Sequence, residues 1–297
     1  MPKRLATPEE SFKMIADRSS LQSVIVIGTG RLGTALASAL GACGVVVVSR
    51  AGRQTLAEGL PGPVTASASL VILAVADEGI VPLADRLAGS LSRFESEPVF
   101  LHCSGVLDGT ALESLRRKGS PVGSCHPLQT FPDRVPRPTP FRGVTFGIEG
   151  DAAALAAGRE LAARLDGRAV EIEPGTKSLY HLAAVLAGNG TVALIGAARD
   201  VMQAAGFDAA EALLALSPLV RASVEGALSS GPEPALSGPV SRGDRATLER
   251  HRAALRDWDP SRLELYEALV REQERLVSSS GPRTHPAKIT SPTRETE

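Results

Sequence analysis

The chain has 297 residues, 43% hydrophobic and 22% charged, with 32 Lys and Arg against 33 Asp and Glu, a net charge of −1. This is ordinary globular composition for one large domain or two of common size. Near-neutrality removes any electrostatic reason to expect nucleic acid or an anionic membrane as partner.

The opening "MPKRLATPEESFKMIADRSS" lacks the apolar run of a signal peptide and reads as an arm over residues 1–20, with a short helix begun by Thr7, Pro8, Glu9 and Glu10. Three cysteines (Cys43, Cys103, Cys125) cannot all pair and none has metal-ligand spacing, which suits a reduced, cytoplasmic protein without a metal.

From Val24 short apolar runs alternate with helical segments: "VIVIG", "VVVVS", "LVILAV", "PVFLHCS", "PVGSC", then "GVTFGIEG" and "AVEIEP" around the helix "DAAALAAGRELAARL". Continuous apolar runs suit strands buried on both faces of a parallel sheet. The pattern implies an α/β fold with a doubly wound, mostly parallel sheet over residues 21–173.

The character changes after Pro174. "TKSLYHLAAVLAGNGTVALIGAARDVMQAAG" is one helical pattern of about 30 residues, roughly 45 Å long. It is apolar around most of its circumference but carries Lys177, His181, Asn189, Arg199 and Asp200, so a buried central helix is preferred to a membrane span. Gly206 is placed to end it and Asp208 to cap the next helix. A Pro/Gly-rich loop then precedes two amphipathic helices near 244–256 and 261–277. Residues 174–277 thus read as an all-helical domain for substrate binding and dimerisation. The polar, Pro-rich stretch 278–297 reads as a disordered tail.

Gly28-Thr29-Gly30-Arg31-Leu32-Gly33 is a GxGxxG between a strand and a helix, the pattern that brings a pyrophosphate onto a helix N-terminus. The second strand ends at Ser49-Arg50, followed by Arg53, where an NAD-binding chain usually places an acid. A hydroxyl and two guanidiniums there favour the 2′-phosphate of NADP. Ala74, Val75 and Ala76 end the next strand beside the expected dinucleotide, with Asp77 as the cap of the following helix.

Two further strand ends carry chemistry. Ser104 in "HCSGVLD" and His126 in "GSCHPLQTF" fall where open α/β sheets bind ligands. His126, held by Pro127, reads as an anchor or proton donor for a substrate oxygen, or as a histidine that shapes its loop. His102 reads as structural, and Cys103 and Cys125 as packing residues. Lys177 and His181, four apart, share a helix face, with Asn189 on the same broad side. Lys177 suits proton donation to a developing alkoxide, or is a lysine snorkelling from a helix start. In "SGPVSRGD", Ser241 and Arg242 could close over a carboxylate, or belong to a capping loop.

"IGTGRLGTAL", "CHPLQTF", "KSLYHLAAVLAGN" and "LSGPVSRGD" together resemble a Rossmann-like oxidoreductase family with a C-terminal helical domain of unknown function, over about residues 21–275. That family is similar to pyrroline-5-carboxylate reductase and 6-phosphogluconate dehydrogenase, in which a long C-terminal helix builds dimers. Some members resemble an alternative ketopantoate reductase. Prephenate dehydrogenase is a more distant likeness, with a Ser and a His-Pro placed like Ser104 and His126-Pro127. The usual ketopantoate reductases carry an asparagine four residues after the helix lysine, where this chain has His181. The resemblance implies a homodimeric NADP-dependent oxidoreductase acting on CH–OH or CH–NH of a small carboxylate-bearing carbonyl or imine. A non-catalytic NADP(H) sensor and a prephenate-dehydrogenase-like oxidation are the alternative readings.

Overall fold

The computed structural model describes residues 21, 23–51, 68–91, 97–131 and 140–279. The expected N-terminal arm, Arg53 and the expected disorder beyond residue 279 lie outside them.

All seven apolar runs are strands: β1 (Ser23–Ile27), β2 (Val46–Ala51), β3 (Leu70–Leu73), β4 (Val99–His102), β5 (Val122–Pro127), β6 (Thr145–Gly150) and β7 (Arg168–Glu171). They form one sheet in the order β2-β1-β3-β4-β5-β6-β7. Pairing is parallel from β2 through β5. β6 then runs antiparallel to β5, and β7 parallel to β6.

Side chains alternate between two cores along each strand, as the two-residue period requires. Val24, Val26, Leu70 and Ile72 pack with Leu36 and Leu40 of α1 (Arg31–Ala42) and Leu161 of α4 (Ala152–Arg164). Ile25, Ile27, Val71 and Leu73 pack with Ile80, Leu83 and Leu87 of α2 (Asp77–Ala88), and with Leu115 of the short α3 (Glu113–Arg116). Apolar residues at every position thus serve two covered faces, which makes the sheet doubly wound. Asp77 is the first residue of α2 and not its cap; Ala76 holds the cap position without a side-chain bond. A carboxylate in the first turn still favours the helix electrostatically.

The chain forms two compact units dividing at Gly190/Thr191. The first therefore includes α5 (Lys177–Val185) and a π-helical turn, Leu186–Gly190, beyond the last strand. The second contains α6 (Thr191–Ala204), α7 (Ala209–Ser230), α8 (Pro232–Ala235), α9 (Arg245–Trp258) and α10 (Ser261–Ser279), with no strand among its described residues. Gly206, at φ +100°, follows α6. Asp208 and Glu211 form a capping box on α7, and Asp244 caps α9 through the Thr247 N–H.

One expectation is corrected. The helical segment Lys177–Ala204 is not buried within this chain: none of its most apolar window is buried, and the same holds for nearly all of that in Ala209–Ser230. Both are long and apolar enough to cross a membrane by length and composition alone. Leu179, Leu182, Leu186, Val192 and Leu214 are exposed. The first segment also carries Asp200, which pairs with Arg199 at 2.8 Å and Arg262 at 2.7 Å.

Backbone contact dictates two glycines at the β1–α1 turn. Gly28 has φ +137°, and a Cβ there would lie 2.1 Å from the Ala74 carbonyl oxygen. A Cβ on Gly33 would lie 2.2 Å from the carbonyl oxygen of Gly28. Gly33→Ala should therefore destabilise the first unit by roughly 1–3 kcal/mol, as overpacking does. Denaturant unfolding at neutral pH checks this, and an unchanged midpoint would refute the contact.

Candidate active site

The turn from β1 into α1 leaves bare backbone at the helix N-terminus. Gly30 is the cap residue of α1, at φ −69° and ψ 179°, and supplies no side-chain bond to the first turn. A Cβ on Gly30 would have nothing within 4 Å among the described residues. Packing explains Gly28 and Gly33, but neither packing nor backbone strain explains Gly30. What its bareness allows is close approach of an anionic group to the first-turn N–H groups. Thr29, Gly30 and Arg31 are exposed around this turn and Leu32 is half-buried, and Ala74, just after β3, borders it against Gly28 and Gly33. Arg31 also donates to the Phe131 carbonyl oxygen at 3.3 Å. Ser49 and Arg50 fall at the end of β2, alongside Ile25 and Val26 of β1 in register.

The ends of β4 and β5 form a second group. His102 is fully buried; its Nδ1 accepts the Ser104 N–H at 3.2 Å and its Nε2 lies 3.0 Å from the Asp108 carbonyl oxygen. That network assigns the proton to Nε2. Burial, helped by the charge of Lys177, pushes His102 down to about 4. It is a neutral structural histidine, as expected. The Ser104 hydroxyl accepts the N–H groups of Val106 and Leu107 at 3.2 and 3.0 Å, closing the loop after β4. Cys103 and Cys125 are buried, and burial raises both thiols, Cys103 to about 12.

Gly105 lets two imidazoles meet over this loop. A Cβ there would lie 3.0 Å from Nε2 of His126, 3.0 Å from Nε2 of His181 and 2.3 Å from Cδ2 of His181. The two rings stand edge to face with centroids 5.8 Å apart. Burial first, then His181 and Lys177, push His126 down to about 4, so it is a neutral imidazole at physiological pH. On its other side, Nδ1 of His126 lies 3.1 Å from the Tyr180 hydroxyl.

Lys177 is only 4% exposed. Its ammonium donates to the Ser124 hydroxyl and lies 3.6 Å from Oε1 of Glu149. Burial lowers it from the ordinary lysine range, against the attraction of Glu149. The same Glu149 oxygen is buried and accepts no hydrogen bond among the described residues. Lys177 is thus committed to the interior of the first unit, beneath the strand that carries His126.

A cavity of about 630 Å³ opens beside the histidines, lined by His126, His181, Tyr180, Gln129, Thr130 and Asn189 among others. The structure therefore brings His126, His181 and Asn189 to one cavity, with Gly105 against the two imidazoles. Lys177 is not among the lining residues, and Ser241 and Arg242 are exposed in the second unit, where the Ser241 hydroxyl donates to the Gly238 carbonyl oxygen. Sequence reasoning placed Gly105 at the strand end with Ser104 but missed Tyr180, Ser124 and Glu149. A tyrosine directly before His181 was a visible signal; a carboxylate on β6 answering Lys177 was not.

Removing Lys177 alone strands the Glu149 carboxylate in the interior. Lys177→Met should cost about 3–5 kcal/mol of stability, the usual result of breaking a buried pair from one side. The double variant Lys177→Met with Glu149→Gln should recover much of it. A double variant as unstable as the single one would show that the pair does not couple.

Residues 144–273 match the model of DUF2520, a domain of unknown function, so the matched region begins inside the sheet just before β6. No curated protein matches the chain. Among solved structures, the chain is similar to a Bacteroides fragilis protein assigned as an NADP oxidoreductase (TM-score 0.68, 23% identity, covering 86% of this chain and 99% of that one). It is similar to a Thermotoga maritima protein (TM-score 0.65, 24% identity, 86% and 98%). It is also similar to Plasmodium falciparum pyrroline carboxylate reductase with NADP bound (TM-score 0.55, 11% identity, 86% and 98%). At these identities the likeness establishes the fold. The chain has a Rossmann-type sheet followed by a helical part, and residues 144–273 match the DUF2520 model, which bears out the resemblance read from the sequence.

Proposed function

We propose that the protein is an NADP-dependent oxidoreductase that reduces a small carbonyl or imine substrate bearing a carboxylate. The observation that carries the reading is Gly30, bare at a helix N-terminus where neither packing nor φ requires glycine. Supporting it are Ser49 and Arg50 at the end of β2, which suit a 2′-phosphate. The pyrroline carboxylate reductase neighbour adds a fold-level likeness to an enzyme crystallised with NADP.

When bound, the nicotinamide supplies the hydride. The chain's own part is to orient and polarise the acceptor. His126, neutral and at the cavity, donates a hydrogen bond to the carbonyl oxygen or imine nitrogen. His181, beside it on the same cavity, is the group through which the proton reaches the reduced atom. Asn189 offers an amide to the substrate. Ser104 holds the loop, and Lys177 acts from the interior through its charge, which replaces the direct proton donation expected of it.

The wild-type protein should bind NADPH well ahead of NADH, and Arg50→Ala should erase tenfold to a hundredfold of that preference, as one charge-assisted bond of ~1.5–3 kcal/mol implies. Gly30→Val should weaken both nucleotides without lowering thermal stability. Fluorescence titration with both nucleotides checks this, and equal wild-type affinity would sink the NADP assignment. A panel of 2-keto acids and cyclic imino acids, followed at the nicotinamide absorbance, tests turnover. Binding without turnover on every member would favour the sensor reading.

We further propose a cytoplasmic homodimer that covers the exposed apolar faces of Lys177–Ala204 and Ala209–Ser230. An interface above about 2,000 Å² is expected for such an obligate pair. Sedimentation equilibrium should give a dimer at micromolar concentration; a monomer throughout would overturn it.

A further inference from the structure

The two nitrogens of His126 face different surroundings. Nε2 is turned toward Gly105 and His181 at the cavity. Nδ1 is turned inward, 3.1 Å from the Tyr180 hydroxyl. The Tyr180 ring meets the imidazole edge to face, with centroids 5.6 Å apart and planes at 89°. Its seat is cut by Gly147: a Cβ there would lie 2.6 Å from both Cζ and the hydroxyl oxygen of Tyr180. Gly147 pairs directly opposite His126 across β5 and β6, so one cross-strand position carries both the imidazole and the space for its partner.

The phenol has one proton to give. Burial pushes Tyr180 up to about 12, with a backbone hydrogen bond from Gly147 working the other way, so the group stays a neutral O–H. The hydroxyl proton has two acceptors within reach. One is Nδ1 of His126 at 3.1 Å; the other is the His126 carbonyl oxygen at 3.4 Å. The shorter contact to an imidazole lone pair is the stronger.

We propose that Tyr180 is a positioning residue that donates its hydroxyl proton to Nδ1 of His126 and so holds that histidine in the tautomer protonated on Nε2. A neutral imidazole has one donor and one acceptor nitrogen, and the partner of one decides the state of the other. With Nδ1 accepting, Nε2–H is the donor presented to the cavity. The opposite tautomer would present a lone pair, which repels a carbonyl oxygen. The charged and titratable groups around His126 are His181, Lys177 and Asp77. The functional consequence rests on the reading of His126 as the group that polarises the substrate; the tautomer itself does not.

The test uses the full chain labelled with 15N-histidine, at pH 7 and without substrate. Two-bond 1H–15N spectra separate protonated from unprotonated ring nitrogens, and His126→Gln assigns the signal among the five histidines. The wild type should show Nε2 protonated and Nδ1 as an acceptor. Tyr180→Phe should move His126 toward the Nδ1-protonated form, or to a mixture of the two. With a substrate in hand, the same variant should lower kcat roughly tenfold or more while NADPH affinity stays within about twofold. A wild-type His126 protonated on Nδ1, or a tautomer unmoved in Tyr180→Phe, would overturn the proposal. Because the spectra need no turnover, failure of the oxidoreductase reading leaves this result standing on its own.

Discussion

Antiparallel pairing of β6 with β5 sets His126 opposite Gly147 and Ser124 opposite Glu149, and the candidate site is assembled on those two rungs. In a purely parallel sheet the next strand would arrive by a crossover, with a different residue beside each of these. The reversal needs close approach: a Cβ on Gly150 would lie 2.5 Å from the Cα of Gly123, and Gly150 itself has φ +132°. Glycines on both strands allow it. α5 then lays Lys177 against the Ser124–Glu149 rung and Tyr180 against the His126–Gly147 rung. The spacing of three between them is one helical step on the same face.

That arrangement settles the electrostatics of the site. A carboxylate whose oxygen is buried without a hydrogen bond is costly unless a cation stands beside it, and Lys177 is that cation. Its positive charge in turn disfavours protonation of His102 and His126, adding to their burial. Both imidazoles are therefore kept neutral, and a neutral imidazole serves as a directional hydrogen-bond donor where a cation would act as a point charge. Gly105 completes the group by withholding a side chain where His126 and His181 converge.

The two units differ in how they use apolar residues. In the first, strands feed two continuous cores covered by helices. In the second, the described core reduces to Val240, Leu248 and Val270 with Tyr266 packed against them, while α6 has no buried residue and α7 only Ala212. A helix so apolar and so uncovered has surface left for another body to bury. Ion pairs carry part of the internal cohesion instead, as in Arg252–Glu267 at 2.6 Å between α9 and α10.

The residues alone determined much of this protein. Five continuous apolar runs specify a sheet covered on both faces, two later runs extend it, and Gly28, Gly30 and Gly33 specify the turn between β1 and α1, because a strand's burial and a turn's backbone freedom are written locally. Helix ends were legible for the same reason, at Gly206 and Asp208. What only tertiary structure decided is where partners from distant segments meet. Lys177 reads locally as a lysine at a helix start, free to reach a substrate; the antiparallel β6, which no local pattern announces, puts Glu149 beside Ser124 and draws the ammonium inward. The same strand reversal turns Gly147 into the seat of Tyr180. The long apolar helix reads locally as a buried one, yet burial depends on what lies against it, and the described residues supply no covering layer.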